Sequence, residues 1–576
     1  MASRTGSVHV ATTRREYKGK VYESHLLRRT FREDGKVKNE TVGNLSHLPA
    51  HVIEMVRRAL AGESFTPAGG LEVVRSRAHG HVALVLGLMR DIGLDRVLSP
   101  RHCREQDIVL ALVAARILFP GSKLASTRAW AETTLLEELG LDGVSVDDVY
   151  AAMDWLRERQ EAAQRVLVGR HLPAGSVVLY DLSSSYVTGR HCPIAVHGYS
   201  RDGRGDLPQV NYGVVTDTAG RPVAVEVFPG NQADSTTVMQ VIEQLRKKYK
   251  LRRMVLVGDR GMVRNVQIEE LAKYPAIDWI TAIGNPAVAA LHERGHLQLG
   301  LFDDRDLVRV ESPDFPGQRL IACRNVALRD ERARKRELLL QRTERELQKV
   351  KDMVDSGRLR GAAEIGERVG RAWGHAKMRK HFRLHIAEDR FTFERDEASI
   401  LAESALDGIY VIRTSIPASE TWPDAEVVRT YKSLSKVERV FRTMKTTELL
   451  VRPIFHRDED RVRAHIFLCM LAAHVAVELE RRLAAFLHVD EDLRAAQAER
   501  DPVRPQPPSA SGRAKRATHK DADGNPLHSL RTLLGAMASQ SRVSVRMAGG
   551  DATFDKDSTP TDWQRKVAQA VATAPT

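Results

Sequence analysis

The chain has 576 residues, 42% of them hydrophobic, and a formal net charge of +13. That length allows three or four domains of about 100–200 residues each, and Lys and Arg spread along the whole chain favour a polyanionic partner, nucleic acid first. Cys103, Cys192, Cys323 and Cys469 stand far apart with no CxxC pair, which argues against a disulfide framework and fits a reducing cytoplasm.

The first twenty residues carry no apolar run, so no signal peptide is expected. Residues 17–44 read as a basic hairpin: YKGKVYESHLLRRTF, a turn at EDGK, and a return through VKNETVGNL. A short helix over 50–61 and a linker over 63–70 follow. Residues 75–172 repeat apolar positions at helical spacing in VALVLGLMRDIGL, EQDIVLALVAARILF and SVDDVYAAMDWLRERQEAAQRVL. Ser145 ahead of Asp147 and Asp148 gives the last of these an N-cap signal. Such helices suit either a helix-turn-helix DNA reader or a plain bundle.

Residues 176–285 change character. Strands are expected at 176–181, 209–217, 221–228, 253–259 and 277–283, with helices at 234–249 and 264–273. Short turns link the first three strands, so they pair antiparallel; the fourth follows a helix and can pair parallel. The result is a mixed sheet with helices packed against it. His191, Cys192 and His197 lie close in sequence, but a fourth ligand at a recognised spacing is missing, so zinc is not expected.

Residues 286–430 interrupt this pattern. Leu328–Val354 reads as a charged helix with Leu340, Leu347 and Val354 in partial heptad register. It is either a coiled-coil arm or a solvated helix packed on one side. Strands are expected at 382–393 and 408–414. Helical patterns return over 431–486. The apolar stretch 465–477 is too short to span a bilayer and contains His474, so it reads as a buried helix and no membrane partner is expected. Residues 501–526, rich in Pro, Ser and basic residues, read as a disordered linker.

Two apolar runs end on a carboxylate: Ser176-Val-Val-Leu-Tyr-Asp181 and Arg253-Met-Val-Leu-Val-Gly-Asp259. An unpaired carboxylate is too costly to bury inside a strand. At the ends of adjacent strands, two such groups would repel each other unless a divalent cation lay between them. A third carboxylate is offered by a helix over 431–445. At roughly 100° per residue, Tyr431, Leu434, Glu438 and Lys445 fall within about 60° of one another. Val437, Val440, Phe441 and Met444 form the neighbouring apolar stripe. The simpler alternative is an ordinary amphipathic helix in which Glu438 pairs with Arg442.

Tyr431-x2-Leu434-x3-Glu438-x6-Lys445 resembles the Y-x2-R-x3-E-x6-K signature of a large group of bacterial insertion-sequence transposases of the DDE type. YDLSSSYVTG (180–189), GYSRDGRGDLPQVNYGVVTD (198–217), RPVAVEVFPGNQADSTTV (221–238), VGDRGM (257–262), LDGIYVIRTS (406–415) and RVRAHIFLCMLA (461–472) carry the same resemblance, over roughly residues 17–490. One position departs: Leu434 stands where the signature has Arg. Leu cannot bind phosphate, so that function is missing here or is supplied by Lys436 or Arg439.

The resemblance implies a ribonuclease-H-like catalytic domain of the α/β class, interrupted by an α+β insertion and preceded by a helical domain. The implied parts are 1–65 (basic hairpin and short helix), 66–172 (helical, possible DNA-binding), 173–285 (first catalytic segment), 286–430 (insertion), 431–490 (catalytic helix and remainder) and 491–576 (linker and C-terminal segment). It implies Asp181, Asp259 and Glu438 as catalytic metal ligands for two Mg²⁺ ions, with Mn²⁺ an acceptable substitute. Such a pair, about 4 Å apart, activates the attacking oxygen and stabilises the leaving one.

Tyr431, Lys445, Arg260 and Arg442 are the DNA-contacting candidates. Arg260 alternatively only pairs with a carboxylate. The loop 198–206 either touches DNA or is a mobile turn. Asp202 and Asp206 within it are rival metal ligands, though a glycine-rich loop positions a ligand less well than a strand. Asn231 and Asp234 read as turn and N-cap residues. The implied partners are double-stranded DNA, as element ends and target, and a second copy of the chain. The implied location is the bacterial cytoplasm, on the nucleoid. No G-x-x-x-x-G-K-[ST] loop calls for a nucleoside triphosphate. Two alternatives stand: a non-catalytic DNA-binding repressor derived from a transposase, and a nuclease on the same fold.

Overall fold

In the computed structural model, which describes residues 6–33, 35–63, 71–189, 191–373, 378–446, 448–490, 492, 501–504, 507–547 and 552–573, the basic N-terminal segment is a three-stranded meander. β1 (Ser7–Tyr17), β2 (Lys20–Glu33) and β3 (Lys36–Asn44) pair antiparallel in that order. The hairpin reading missed β1, which is largely exposed and so lacks a clear apolar alternation. Its turn is Lys18-Gly19, both at positive φ (51° and 72°), a two-residue hairpin geometry whose twist matches the strands. α1 (Ala50–Leu60) follows. The linker expected at 63–70 lies, beyond Glu63, outside the described residues. β4 (Leu71–Ala78) joins a second three-stranded sheet with Ser541–Met547 and Thr553–Asp557. Residues 1–76 and 542–558 form one of two compact units.

The second unit holds the rest of the chain. It begins with α2 (Gly80–Asp91), α3 (Leu94–Leu98), α4 (Arg104–Leu118), α5 (Lys123–Trp130), α6 (Leu135–Glu138) and α7 (Val146–His171). The predicted cap of α7 is a full capping box: Ser145 Oγ accepts from Asp148 N at 3.1 Å, and Asp148 accepts from Ser145 N at 2.8 Å.

A mixed sheet of eight strands follows: β5 (Ser176–Tyr186), β6 (Gln209–Thr216), β7 (Pro222–Pro229), β8 (Met254–Val257), β9 (Ile277–Ala282), β10 (Leu307–Val310), β11 (Arg319–Arg324) and β14 (Ile409–Thr414), in spatial order β10-β11-β14-β9-β8-β5-β6-β7. β5, β6 and β7 are antiparallel neighbours; β8 and β9 run parallel to β5. Every residue of β6 and β8 is buried, as expected of strands covered on both faces. α8 (Asp234–Lys247) and α9 (Asn265–Leu271) are the connecting helices.

β10, β11 and β14, all from 286–430, extend the main sheet beyond β9. After α10 (Asn285–Glu293), the rest of that stretch is α11 (Val326–Asp355), α12 (Ala362–Ala372), a hairpin of β12 (Phe382–Ile386) and β13 (Phe391–Arg395), and α13 (Glu397–Ser404). Leu340, Leu347, Val350 and Val354 of α11 pack in a small core with Ile365, Val369, Phe382 and Phe391. α11 is therefore a helix packed on one side within its own chain, and Thr343 in its seam returns its hydroxyl to Leu339 O at 2.8 Å.

α14 (Asp424–Lys432), α15 (Ser435–Lys445) and α16 (Glu459–Arg482) complete the main body. α16 contains the stretch 465–477 and is buried along nearly its whole length against α7, β7 and α4. Within the expected disordered linker, Ala510–Thr518 is helical. Polar anchors hold it where composition offered no apolar pattern: Ser509 N and Oγ donate to Asp490, and Lys515 Nζ donates to Ala484 O and Val489 O.

Candidate active site

β5 does not stop at Asp181. Its parallel pairing to β8 ends at Leu179–Val257, while its antiparallel pairing to β6 continues to Tyr186–Gln209. The polar run after Asp181 is strand because its serines have partners: Ser184 Oγ accepts from Arg201 N at 3.0 Å, and Ser185 Oγ meets Tyr212 OH at 3.0 Å. Asp181 thus sits inside β5, on the flank that β8 has just left. Asp259 stands two residues beyond Val257, as Asp181 stands two beyond Leu179. The matched register carries both carboxylates past the same edge.

Asp259 is held by its own loop. Its Oδ1 accepts from Gly261 N and Met262 N, both at 2.9 Å, and its carbonyl accepts from Thr281 Oγ1 of β9 at 3.1 Å. The loop is braced from β14 by Arg413, which donates to Asn265 Oδ1 at 2.8 Å and Val263 O at 3.4 Å. Arg413 is buried, and burial pulls its pKa below the ordinary arginine value. Gly258 suits the close packing of the bend, since a Cβ there would lie 2.9 Å from Val263 Cγ2 and the valine would have to shift. Arg413→Met keeps most of the unbranched stem but removes the donors. It should raise amide hydrogen exchange over 261–265 while leaving β5 and β6 protected; unchanged exchange would show that Arg413 braces nothing.

The predicted helix 431–445 is two helices. The chain turns at Ser433-Leu434, so Tyr431 lies on α14 and Glu438 and Lys445 on α15. Sequence periodicity passes through this break because both turn residues keep near-helical backbone angles. The apolar stripe is as expected: Val437, Val440, Phe441 and Met444 are buried, and the Phe441 ring lies 5.8 Å from that of Tyr212. Glu438 is exposed in the first turn of α15, where the helix dipole favours a negative charge. Neither Glu438 nor Arg442 has a side-chain hydrogen bond or ion pair among the described residues. The Glu438–Arg442 pair of an ordinary amphipathic helix is not formed.

Electrostatics tie these groups together. Asp181 is half-buried, and its pKa is pushed up to about 7. Desolvation is the main cause; the charges of Asp259 and Glu438 add to it, against the Leu182 N–H and Arg201. Tyr431 is pushed up to about 12 by burial and by Asp259, Glu438 and Asp181, with Arg260 opposing. Three carboxylates, one phenol and two arginines therefore share a neighbourhood.

Around them, Arg260 is exposed and donates to Asn285 Oδ1 at 3.4 Å, so it is not committed to a carboxylate. Leu434 is half-buried against the main core. Lys436 donates to Thr218 O, and Arg439 pairs with Glu480 at 2.9 Å; both offered substitutes for the absent Arg are engaged elsewhere. Lys445 pairs with Asp202 at 2.9 Å. Asp206 pairs with Arg204, and Asp234 with Arg201 at 2.5 Å. Asp234 is the first residue of α8 and gives no side-chain cap, its carboxylate being drawn to Arg201 instead. Arg201, Arg413 and Arg452 were not singled out by the sequence, where nothing separates them from the many other arginines.

Among the described residues, no three His, Cys, Asp or Glu side chains already stand close enough to hold a metal ion. The donor set nonetheless fits a hard divalent cation. Asp181, Asp259 and Glu438 offer only oxygen, Asp259 keeps Oδ2 available, and the raised pKa of Asp181, due first to burial and then to the charges of Asp259 and Glu438, marks a carboxylate whose ionised form a cation would favour.

A family model described as "Transposase DDE domain" matches residues 173–475, more than half of the chain. A second, "IS1634 family transposase, N-terminal domain", matches residues 10–68. No curated protein matches the chain. Among solved structures it is similar to the piggyBac transposase synaptic complex with hairpin DNA, at 7% identity and a TM-score of 0.37, over 79% of this chain and 76% of that one. That likeness is too loose to carry an argument.

Proposed function

The chain belongs to the insertion-sequence DDE transposases, and from that premise we propose that it cleaves the ends of its element and joins the freed 3′-OH to target DNA. The observation that carries this reading is the matched register of Asp181 and Asp259 with Glu438 unpaired beside them. A ribonuclease-H-like core is supported by the order β7-β6-β5-β8-β9, in which three antiparallel strands are followed by two parallel to the first. The meander of 6–44 and the helices α2 to α7 are the parts we assign to holding DNA. We assign two copies of the chain to the complex that brings two ends together, and the bacterial nucleoid as its place of work.

Asp181, Asp259 and Glu438 would hold Mg²⁺ or Mn²⁺, two ions in the full reading; when bound, such ions activate a water or 3′-OH and stabilise the leaving oxygen. The two N–H donors on Asp259 Oδ1 leave Oδ2 aimed by the loop. Tyr431 stays protonated at neutral pH and donates to a phosphate oxygen. Arg260 and Arg442, free of carboxylates, steady the flanking phosphates. In the first step a water oxygen bonds to phosphorus, the P–O3′ bond breaks, and the 3′ oxygen takes up a proton. In the second, that 3′-OH attacks a target phosphodiester and displaces its 3′ oxygen. One phosphodiester replaces another, so no nucleotide is consumed.

A duplex carrying the element's terminal repeat, incubated with Mg²⁺ and a target plasmid, tests this reading. Nicked and joined products are expected. Binding without nicking would favour the repressor, for which Leu434 is the one supporting feature. Nicking without joining would favour the nuclease.

A further inference from the structure

Asp202 is an acid in an unusual place. It belongs to the glycine-rich loop 198–206, yet its side chain is only 1% exposed. Its Oδ1 meets Lys445 Nζ at 2.9 Å and Arg452 Nη1 at 2.7 Å. Its Oδ2 is buried and has no hydrogen-bond partner. A carboxylate serving as a permanent buried strut is normally satisfied at both oxygens. Here one anion oxygen bridges two cations and the second is left bare.

The two cations are a pair in their own right. Lys445 ends α15, and Arg452 Nε donates back to Lys445 O at 3.4 Å. Lys445 is 10% exposed, so both its length and its direction are set by packing. Lys445 lies about two turns beyond Glu438 on α15, and the loop that carries Asp202 is tied to β5 three residues past Asp181 by Arg201 N on Ser184 Oγ at 3.0 Å.

The loop lets the acid leave without unfolding anything. Its base is fixed: a Cβ on Gly198 would stand 2.0 Å from Gly230 O, Arg201 N donates to Ser184 Oγ at 3.0 Å, and Gln209 Nε2 donates to Arg204 O and Leu207 O at 2.8 Å. Its tip, Gly203 to Asp206, is exposed and is tethered to the base through Arg204, whose N–H donates to Ser200 Oγ at 3.0 Å; Gly203 has φ +69°. Asp202 sits between the two, so rotation of its side chain frees both cations.

We propose that Lys445 and Arg452 form one phosphate site for the DNA strand at the active centre, and that Asp202 fills this site as a stand-in anion until a DNA phosphate displaces it. The inference rests on the transposase reading and adds a gate to it. A phosphate offers more acceptor oxygens than Oδ1 alone and satisfies both cations. Exchange of one anion for another keeps the buried cations compensated in both states, where an empty site would leave them costly. Asp202 also keeps the site closed to weak anions and to DNA that is not otherwise held.

The test uses the full chain, a duplex carrying the terminal repeat, and binding measured at several salt concentrations. Asp202→Asn is expected to bind about tenfold more tightly. Its salt dependence should be steeper by about one unit, because two uncovered cations now release a solution anion on binding. Adding Lys445→Met to Asp202→Asn should remove both gains. In the wild type, amide exchange over 202–206 should rise when the duplex is added, a readout that needs no variant. Equal or weaker binding by Asp202→Asn with an unchanged salt slope would overturn the gate alone. So would DNA-induced protection of 202–206. No binding of the duplex by either protein would overturn the gate and the transposase reading together.

Discussion

Asp181→Asn should abolish strand cleavage, a loss of about 10³-fold or more, and at the same time make the protein slightly harder to melt at neutral pH. The two effects have one origin. The native carboxyl of Asp181 is raised from 3.8 to about 7. Between about pH 4 and pH 7 the native state keeps a proton that the unfolded chain has lost. Stability contributed by this group is therefore fully present below pH 4 and is lost as pH rises toward 7. Asparagine does not titrate. The melting temperatures of variant and wild type should agree near pH 4, and the variant should lead by on the order of 1–3 °C at pH 7.5. Saturating Mg²⁺ should close that gap by raising the wild type, because a bound cation removes the repulsion from Asp259 and Glu438. Scanning calorimetry across pH, with and without the cation, reads this directly. A variant that melts lower than the wild type at every pH would mean that Asp181 is a structural carboxylate.

Glu438→Gln should be equally inactive for the opposite structural reason. Glu438 is exposed and its side chain has no partner among the described residues, so its loss removes little packing or pairing. The expectation is a melting temperature within about 1 °C of the wild type, undiminished binding to a terminal-repeat duplex, and cleavage reduced by about 10³-fold. The same change in an ordinary amphipathic helix would do nothing. Retention of more than a tenth of the wild-type cleavage would remove Glu438 from the site and with it the role of α15.

Much of the fold was legible because the strands of the main sheet are buried. β6, β7 and β9 were predicted within a residue or two, since runs rich in β-branched and aromatic residues, bounded by Asp217-Thr-Ala-Gly220 and similar turns, leave few alternatives. β5 was cut short because Ser183, Ser184 and Ser185 read as loop; their hydroxyls are satisfied by Arg201 N and Tyr212, partners that no local pattern reveals. The division of 431–445 was invisible because Ser433 and Leu434 keep helix-like angles while the chain changes direction. β1 was missed because it buries almost nothing. Residues 510–518 were misread because their helix is held by polar anchors at Asp490 and at the carbonyls of Ala484 and Val489.

The candidate site was legible as residue types and not as relationships. Asp181, Asp259 and Glu438 were identified from strand ends and a motif. Their shared register past Leu179 and Val257 is a property of pairing, and so are the bracing by Arg413 and the cover that Asp202 gives Lys445. Leu434 looked like a deficit with two possible remedies. Lys436 on Thr218 O and Arg439 on Glu480 close both, which leaves Arg260, beside Asp259 in sequence, and Arg442, one turn beyond Glu438 on α15, as cations not paired with a carboxylate.

The most direct measurement is the binding of Mn²⁺, followed by electron paramagnetic resonance, to the full chain on an uncut terminal-repeat duplex. The wild type should bind Mn²⁺ with its spectrum broadened by protein ligands, and Asp181→Asn, Asp259→Asn and Glu438→Gln should each lose that bound signal while still holding the duplex. Undiminished Mn²⁺ binding in any one of the three would contradict the claim that these carboxylates act as a single cation-dependent site.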